Sequence, residues 1–205
     1  MNMKKSLGSW LMRSIQAQRG FTLIELMVTL AVVAIVATIA IPAMGDMITR
    51  NRTTAAFNEL QGLIGFARSE SAKRPAEPVL LCASNDSAKC TGETDWSVGW
   101  IIARDANGNG SVDAGETILK VIGPLPSGIK LEVKTGTNAS FNSSSLALVR
   151  TGAPAGGNQV TFKMCDSFGA SEARGVVLSV SGQTRSAARD SSGNREDHNN
   201  IDFKC

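Results

Sequence analysis

The chain has 205 residues, 42% of them hydrophobic and 19% charged, with 21 basic and 18 acidic side chains. That apolar content excludes a wholly disordered chain, and a net charge of +3 excludes a polycation built for nucleic acid. Residues 1–20 hold Lys4, Lys5, Arg13 and Arg19 and no acid, which leaves 17 bases and 18 acids for the rest. The basic excess belongs to the N-terminus.

From Phe21 to Met44 the only charged residue is Glu25, and Leu26 to Ile41 carries none. As a helix rising 1.5 Å per residue, these residues span about 36 Å, enough to cross a hydrocarbon core of about 30 Å. The run has no polar face, as a soluble core helix would. It is longer than the h-region of an ordinary secretory signal, although Ala37, Ala40 and Ala43 imitate a small-residue cleavage site. Basic residues on the N-terminal side hold that side in the cytoplasm and send the remainder outward. A carboxylate inside such a segment costs about 2.5–3.5 kcal/mol and calls for a partner. Residue 21 lies one helical turn before Glu25, and the positive end of the helix dipole favours a negative group there.

The stretch Gly20-Phe21-Thr22-Leu23-Ile24-Glu25 resembles the processing motif of type IV prepilins and pseudopilins at every position. The resemblance implies that a prepilin peptidase cuts after Gly20 and that the new N-terminal Phe21 is methylated. Glu25 and Pro42 then stand where family members commonly carry Glu and Pro. Glu25 is expected to meet the terminal amine of its own chain or, as the family implies, of an adjacent subunit. Residues 1–20 are thus expected to be a leader peptide, and residues 21–45 the membrane and assembly half of a long helix.

Beyond Pro42 the pattern turns amphipathic. Met44, Ile48, Phe57, Leu60, Ile64 and Ala67 recur at spacings near three and four, with charged residues between them. Lys73, Arg74 and Pro75 give a cationic last turn followed by a breaker. Residues 46–75 are therefore expected to lay one apolar face against a sheet, with a bend or a loosened turn at Pro42. Residues 76–205 read as a single outer domain. Seven strands are expected, at Val79–Cys82, Val98–Ala103, Thr117–Ile122, Ile129–Val133, Leu146–Arg150, Val160–Met164 and Val176–Ser181, divided by Gly, Pro, Asn and Ser. The expected fold class is α+β and, by the resemblance, type IV pilin-like: a long N-terminal helix, membrane-spanning in its first half, packed on an antiparallel β-sheet domain. The polar stretch from Arg185 to Asn200 reads as a frayed tail.

All four cysteines lie in this outer domain, and four allow three pairings. Cys82 and Cys90 bracket a short polar loop, which leaves Cys165 for Cys205, and an even count fits an oxidising compartment. A zinc site is the alternative, but no C-x-x-C is present and His198 is the only histidine. Cys82, Cys90, the segment Asp95–Trp100 and the Asp105–Glu116 loop resemble the FimT/FimU/GspH group of minor pilins and pseudopilins. That resemblance implies a sparse subunit that helps initiate pilus assembly at the tip, with roles in twitching and adhesion. It implies other minor and major pilins, the inner membrane and the assembly platform as partners. The outer domain would be periplasmic and would end at the pilus tip. A minor pseudopilin of type II secretion is the alternative. Trp96 and Trp100 are expected to pack in the core.

The residues offer little chemistry. Asp105, Asn107, Asn109, Gly110 and Glu116 satisfy D-x-[DN]-x-[DN]-G-x₅-E, and Ser111 and Asp113 occupy further ligand positions of a calcium loop. Strands rather than helices are expected on either side, and two Asn-Gly pairs make a hairpin turn with no metal. The plain hairpin tip is the first reading. Calcium, at a Kd of about 10⁻⁴–10⁻³ M, is the second. His198 has no nucleophile beside it in the sequence and reads as a solvated residue, so no enzyme is expected. Some FimT-like minor pilins bind DNA through Gly-Arg-x-Arg near the C-terminus. Here Gly182-Gln183-Thr184-Arg185 lacks the first Arg, and Arg189 follows. Residues 166–205 hold five bases against six acids, a poor balance for binding phosphates, so DNA is not the favoured partner.

Overall fold

A computed structural model describes residues 20–137 and 140–205; apart from Gly20, the expected leader lies outside them. A single helix, α1 (Leu23–Lys73), runs through Pro42 with no interruption. Proline removes one N–H from the ladder, and the residues on either side keep the helix. The chain divides into two compact units, the second being Asp46–Cys205.

Within the first unit the apolar side chains from Leu23 to Met44 lie exposed. Its Val, Ile and Thr residues are weak helix formers in water, but in an apolar medium every backbone group must bond internally, and only a helix does that within one segment. The hydroxyls obey the same rule. Thr29 donates to the Leu26 carbonyl at 2.8 Å, and Thr38 to that of Ile35 at 2.7 Å.

Among the described residues the second unit contains eight strands in two antiparallel sheets. They are β1 (Val79–Ala83), β2 (Trp100–Arg104), β3 (Ile118–Ile122), β4 (Lys130–Thr135), β5 (Ser145–Leu148), β6 (Val160–Cys165), β7 (Arg174–Leu178) and β8 (Thr184–Ser186). One sheet has the order β3-β2-β1-β5 and the other β4-β6-β7-β8. The seven expected strands are all present with ends shifted by a few residues, and β8 is an addition. Asp95 accepts from the Ser97 backbone and caps a short 3₁₀ turn, Trp96–Val98, which delays β2 to Trp100. The expected antiparallel β domain is built from these two sheets.

One apolar core joins α1 to both sheets. From the helix it takes Phe57, Leu60, Leu63, Ile64 and Ala67; from the sheets, Leu81, Ile102, Leu131, Val133 and Val176. Trp96 and Trp100 are fully buried at its centre, as expected. Their rings lie 5.7 Å apart, Phe162 meets Trp96 edge-on at 6.1 Å, and the Trp96 indole donates to the Ser143 carbonyl. Met44 and Ile48 are exposed, contrary to the expected apolar stripe, which begins in earnest at Ala56. Polar contacts serve the turns before it: Thr53 donates to Asp166, Arg174 donates to Thr54, and Arg50 pairs with Glu172 while lying over the Phe168 ring.

Each sheet carries a cover on its outer face. Over the first, Cys90 and Val112 pack on Leu80, Cys82 and Ile101. Over the second lies the C-terminal stretch, which corrects the expected frayed tail. Phe203 and Ala187 are buried against Val177, and Asp197 forms a fully buried ion pair with Lys134. His198, expected to be solvated, is half-buried between Thr161 and the Gly136 carbonyl. Carbonyl oxygen only accepts, so Nε2 carries the proton and Nδ1 accepts from the Thr161 hydroxyl.

Two carboxylates tie stability to pH. The Lys73 hydrogen bond holds Glu70 below its ordinary value of 4.5 against the pull of burial, and the charges of Lys73 and Arg104 add to it. Burial pushes Asp197 up, but the bonds from Lys134 and from the Asn199 and Ile201 amides leave it below 3.8. A depressed carboxylate contributes stability above its unfolded pKa and loses it as pH falls through the folded one. Melting temperature is therefore expected to hold from neutral pH to about 5 and to fall below the ordinary carboxylate range. Asp197→Asn, which strands a buried ammonium, is expected to cost about 3 kcal/mol at neutral pH in denaturant titration. An unchanged midpoint would contradict the pairing.

Candidate functional site: processing motif, apolar helix and closed outer domain

Helix α1 starts where its sequence tells it to. Thr22 precedes the first helical residue, and its hydroxyl accepts from the Glu25 amide at 3.2 Å. The Glu25 carboxylate in turn accepts from the Thr22 amide at 3.5 Å. This is a reciprocal capping box, signalled by T-x-x-E in the sequence. The Glu25 carboxylate is thus engaged by a backbone N–H one residue beyond Phe21. Gly20 and Phe21 are exposed and non-helical. Pro42 lies inside α1, 19 residues after its start.

The four cysteines form two disulfides, Cys82–Cys90 and Cys165–Cys205, the pairing expected from the sequence. The first closes a short loop that Asp86 holds together by accepting from the Ala88 and Lys89 amides. Those bonds keep Asp86 below the usual carboxylate range. The second ties the last residue of the chain to the end of β6.

The Asp105–Glu116 loop joins β2 to β3 and is closed by its own hydrogen bonds. Asp105, nearly fully buried, accepts from the Asn109 and Gly110 amides, and Glu116 accepts from those of Ala106 and Asp113. Asp113 accepts from the side chains of both Asn107 and Asn109, and the Asn109 side-chain oxygen accepts from the Ser111 amide. Among the described residues no three acidic, histidine or cysteine side chains converge on one point.

Arg185 and Arg189 are placed differently from each other. Arg185 is exposed on the edge strand β8. Arg189 donates to the carbonyls of Ser171 and Gly193, so its guanidinium already holds the backbone. Arg195, missed in the sequence, donates to the Ala187 carbonyl; burial lowers its pKa, and the charges of Arg189 and Arg174 add to that.

An apolar helix entered through this motif and continuing into a closed two-sheet domain defines a pilin-like subunit. A family model described as "Type II transport protein GspH" matches residues 56–183, and the prokaryotic N-terminal methylation motif matches residues 15–41. The chain belongs to the GspH family. It is 33% identical over 99 residues to fimbrial protein EcpC of Eikenella corrodens, covering 48% of this chain and 63% of that protein. It is 50% identical over 79 residues to fimbrial protein Q of Moraxella bovis, covering 38% and 49%. The chain thus spans about half to two-thirds of the length of these curated relatives. A crystal structure of the type IV minor pilin FimU of Pseudomonas aeruginosa has the same fold: TM-score 0.52 at 20% identity, over 68% of this chain and 90% of that one.

Proposed function

We propose that this protein is a minor type IV pilin, held in the inner membrane by α1 until it joins other pilins in starting a pilus at its tip. The observation that carries the reading is the apolar half of α1. More than twenty residues expose Leu, Ile and Val with no protein cover among the described residues, and they begin at a processing and methylation motif. Such a surface requires lipid or other apolar helices around it. In this reading the peptidase cuts after Gly20 and residue 21 acquires a free amine one turn from Glu25. Glu25 then holds the amine of its own chain or of the neighbouring subunit. The likeness of fold to a minor pilin favours the pilus, and the description of the matching family favours the second reading, a minor pseudopilin in type II secretion.

Deletion of the gene separates the two. Loss of surface pili and twitching with normal protein secretion is expected, and secretion loss with normal twitching would select the pseudopilin. Glu25→Ala is expected to leave membrane insertion and cutting intact while reducing recovery of the protein in sheared pili about tenfold or more, the effect of losing a charge pair in an apolar setting. Normal incorporation would remove the charge-pair argument.

The Asp105–Glu116 loop serves this reading as a hairpin tip that carries Val112 onto the sheet. Calcium at about 1 mM, the range of weak extracellular sites, is expected to leave the melting temperature unchanged. A rise abolished by Glu116→Gln would show that the loop binds calcium.

A further inference from the structure

The C-terminal stretch is fastened to its sheet outside the main core. Residues 187–205 lie beyond the part of the chain matched by the family model. They fold back on themselves through the bridges Arg189↔Arg195 and Glu196↔Asp202. Their apolar contacts form a separate cluster, Cys165, Ala173, Val177, Ala187 and Phe203, outside the core that joins α1 to the two sheets. The fit is close: a Cβ on Gly175 would lie 2.6 Å from the Phe203 ring and 2.8 Å from the Ala187 methyl. Further fasteners hold the stretch: the buried Lys134–Asp197 pair, the bond from Lys163 to the Lys204 carbonyl, His198 between Thr161 and the Gly136 carbonyl, and the Arg189 bond to the Ser171 carbonyl. The last is the Cys165–Cys205 disulfide.

The two disulfides differ in access. Cys82 is fully buried and Cys90 packs over it in the outer cluster of the first sheet. Cys90 is half-buried and Cys165 buried, so Cys205 is the one exposed cysteine of the four. Thiol–disulfide exchange begins with attack on a reachable sulfur, which favours Cys165–Cys205 as the first bond to be reduced.

From this we infer that residues 187–205 are a redox-latched strap, which a dithiol releases by reducing Cys165–Cys205 while the core and Cys82–Cys90 stay intact. One thiolate of the dithiol attacks Sγ of Cys205, and Cys165 leaves as a thiolate and takes up a proton. The second thiol then closes on the mixed disulfide, freeing the Cys205 thiol and leaving the oxidised dithiol. Release uncovers Val177 and the Lys134 ammonium on the outer face of β7 and β4, with Ala173 just before β7. In oxidising surroundings the latch holds that face shut. Under a reductant the outer domain presents a strip of apolar and cationic surface that is otherwise absent.

The test uses the full chain in detergent micelles, titrated with dithiothreitol under native conditions. Alkylation with mass mapping locates free thiols, limited proteolysis follows the strap, and near-ultraviolet circular dichroism follows the buried Trp96 and Trp100. Alkylation of Cys165 and Cys205 first is expected, with cleavage after Arg185, Arg189 or Arg195 accelerated about tenfold or more and the tryptophan signal kept. Cys205→Ser and Gly175→Ala, the second of which wedges the strap from beneath without touching a cysteine, are expected to speed the same cleavages with no reductant. Simultaneous loss of both disulfides and the tryptophan signal would overturn the proposal. So would prior reduction of Cys82–Cys90, or a strap that stays protected after its disulfide is reduced or in both variants.

Discussion

One continuous helix has to satisfy two different surroundings, and the rest of the molecule is arranged around that demand. Residues 23–44 of α1 present apolar side chains on every face, while Phe57, Leu60, Ile64 and Ala67 present them on one. The first half is helical throughout and folds the hydroxyls of Thr29 and Thr38 onto carbonyls, which suits an apolar medium. The second half has only its stripe to bury, and the stripe forms the middle of the outer domain's core. No single soluble environment suits both halves. A lipid bilayer or a bundle of apolar helices fits the first half, and a folded domain's core fits the second.

The outer domain meets a related difficulty. Each of its sheets gives one face to α1 and leaves the other to be covered by something that is neither helix nor sheet. In both cases the cover is a polar segment with a few apolar anchors, secured by a disulfide. The Cys82–Cys90 loop and Val112 serve the first sheet, and the strap with Phe203 serves the second. Short irregular segments bury little area and lose much entropy on ordering. A covalent fastener offsets part of that cost by restricting the unfolded chain.

The long helix was legible because its signals are local: a charge-free run, T-x-x-E at its start and Lys73 before Pro75 at its end. The strands were legible within a few residues because β-branched runs alternate with Gly and Asn turns. Their division into two sheets was not, since β5 pairs with β1 across more than sixty residues and nothing in either strand names the other. Arithmetic on four cysteines leaves three pairings; the short polar loop between Cys82 and Cys90 pointed to the one the structure shows. The strap was not legible. Its anchors, Ala187, Asp197, His198 and Phe203, follow no period, and its composition is that of a loop; only the complementary Lys134 and Gly175 give it a place. In the calcium-like loop the motif is real as a pattern. The same oxygens that would face a metal accept backbone and amide N–H groups here, which a sequence cannot distinguish.

The account rests on α1 being exposed to processing at its start and then used as an apolar anchor. Intact-mass and N-terminal peptide analysis of the protein purified from membranes tests this most directly. The expected mature chain begins at Phe21, carries one methyl group on its amine and retains both disulfides. A chain that begins at Met1, or one cut beyond Ala43 with the apolar helix removed, would contradict it.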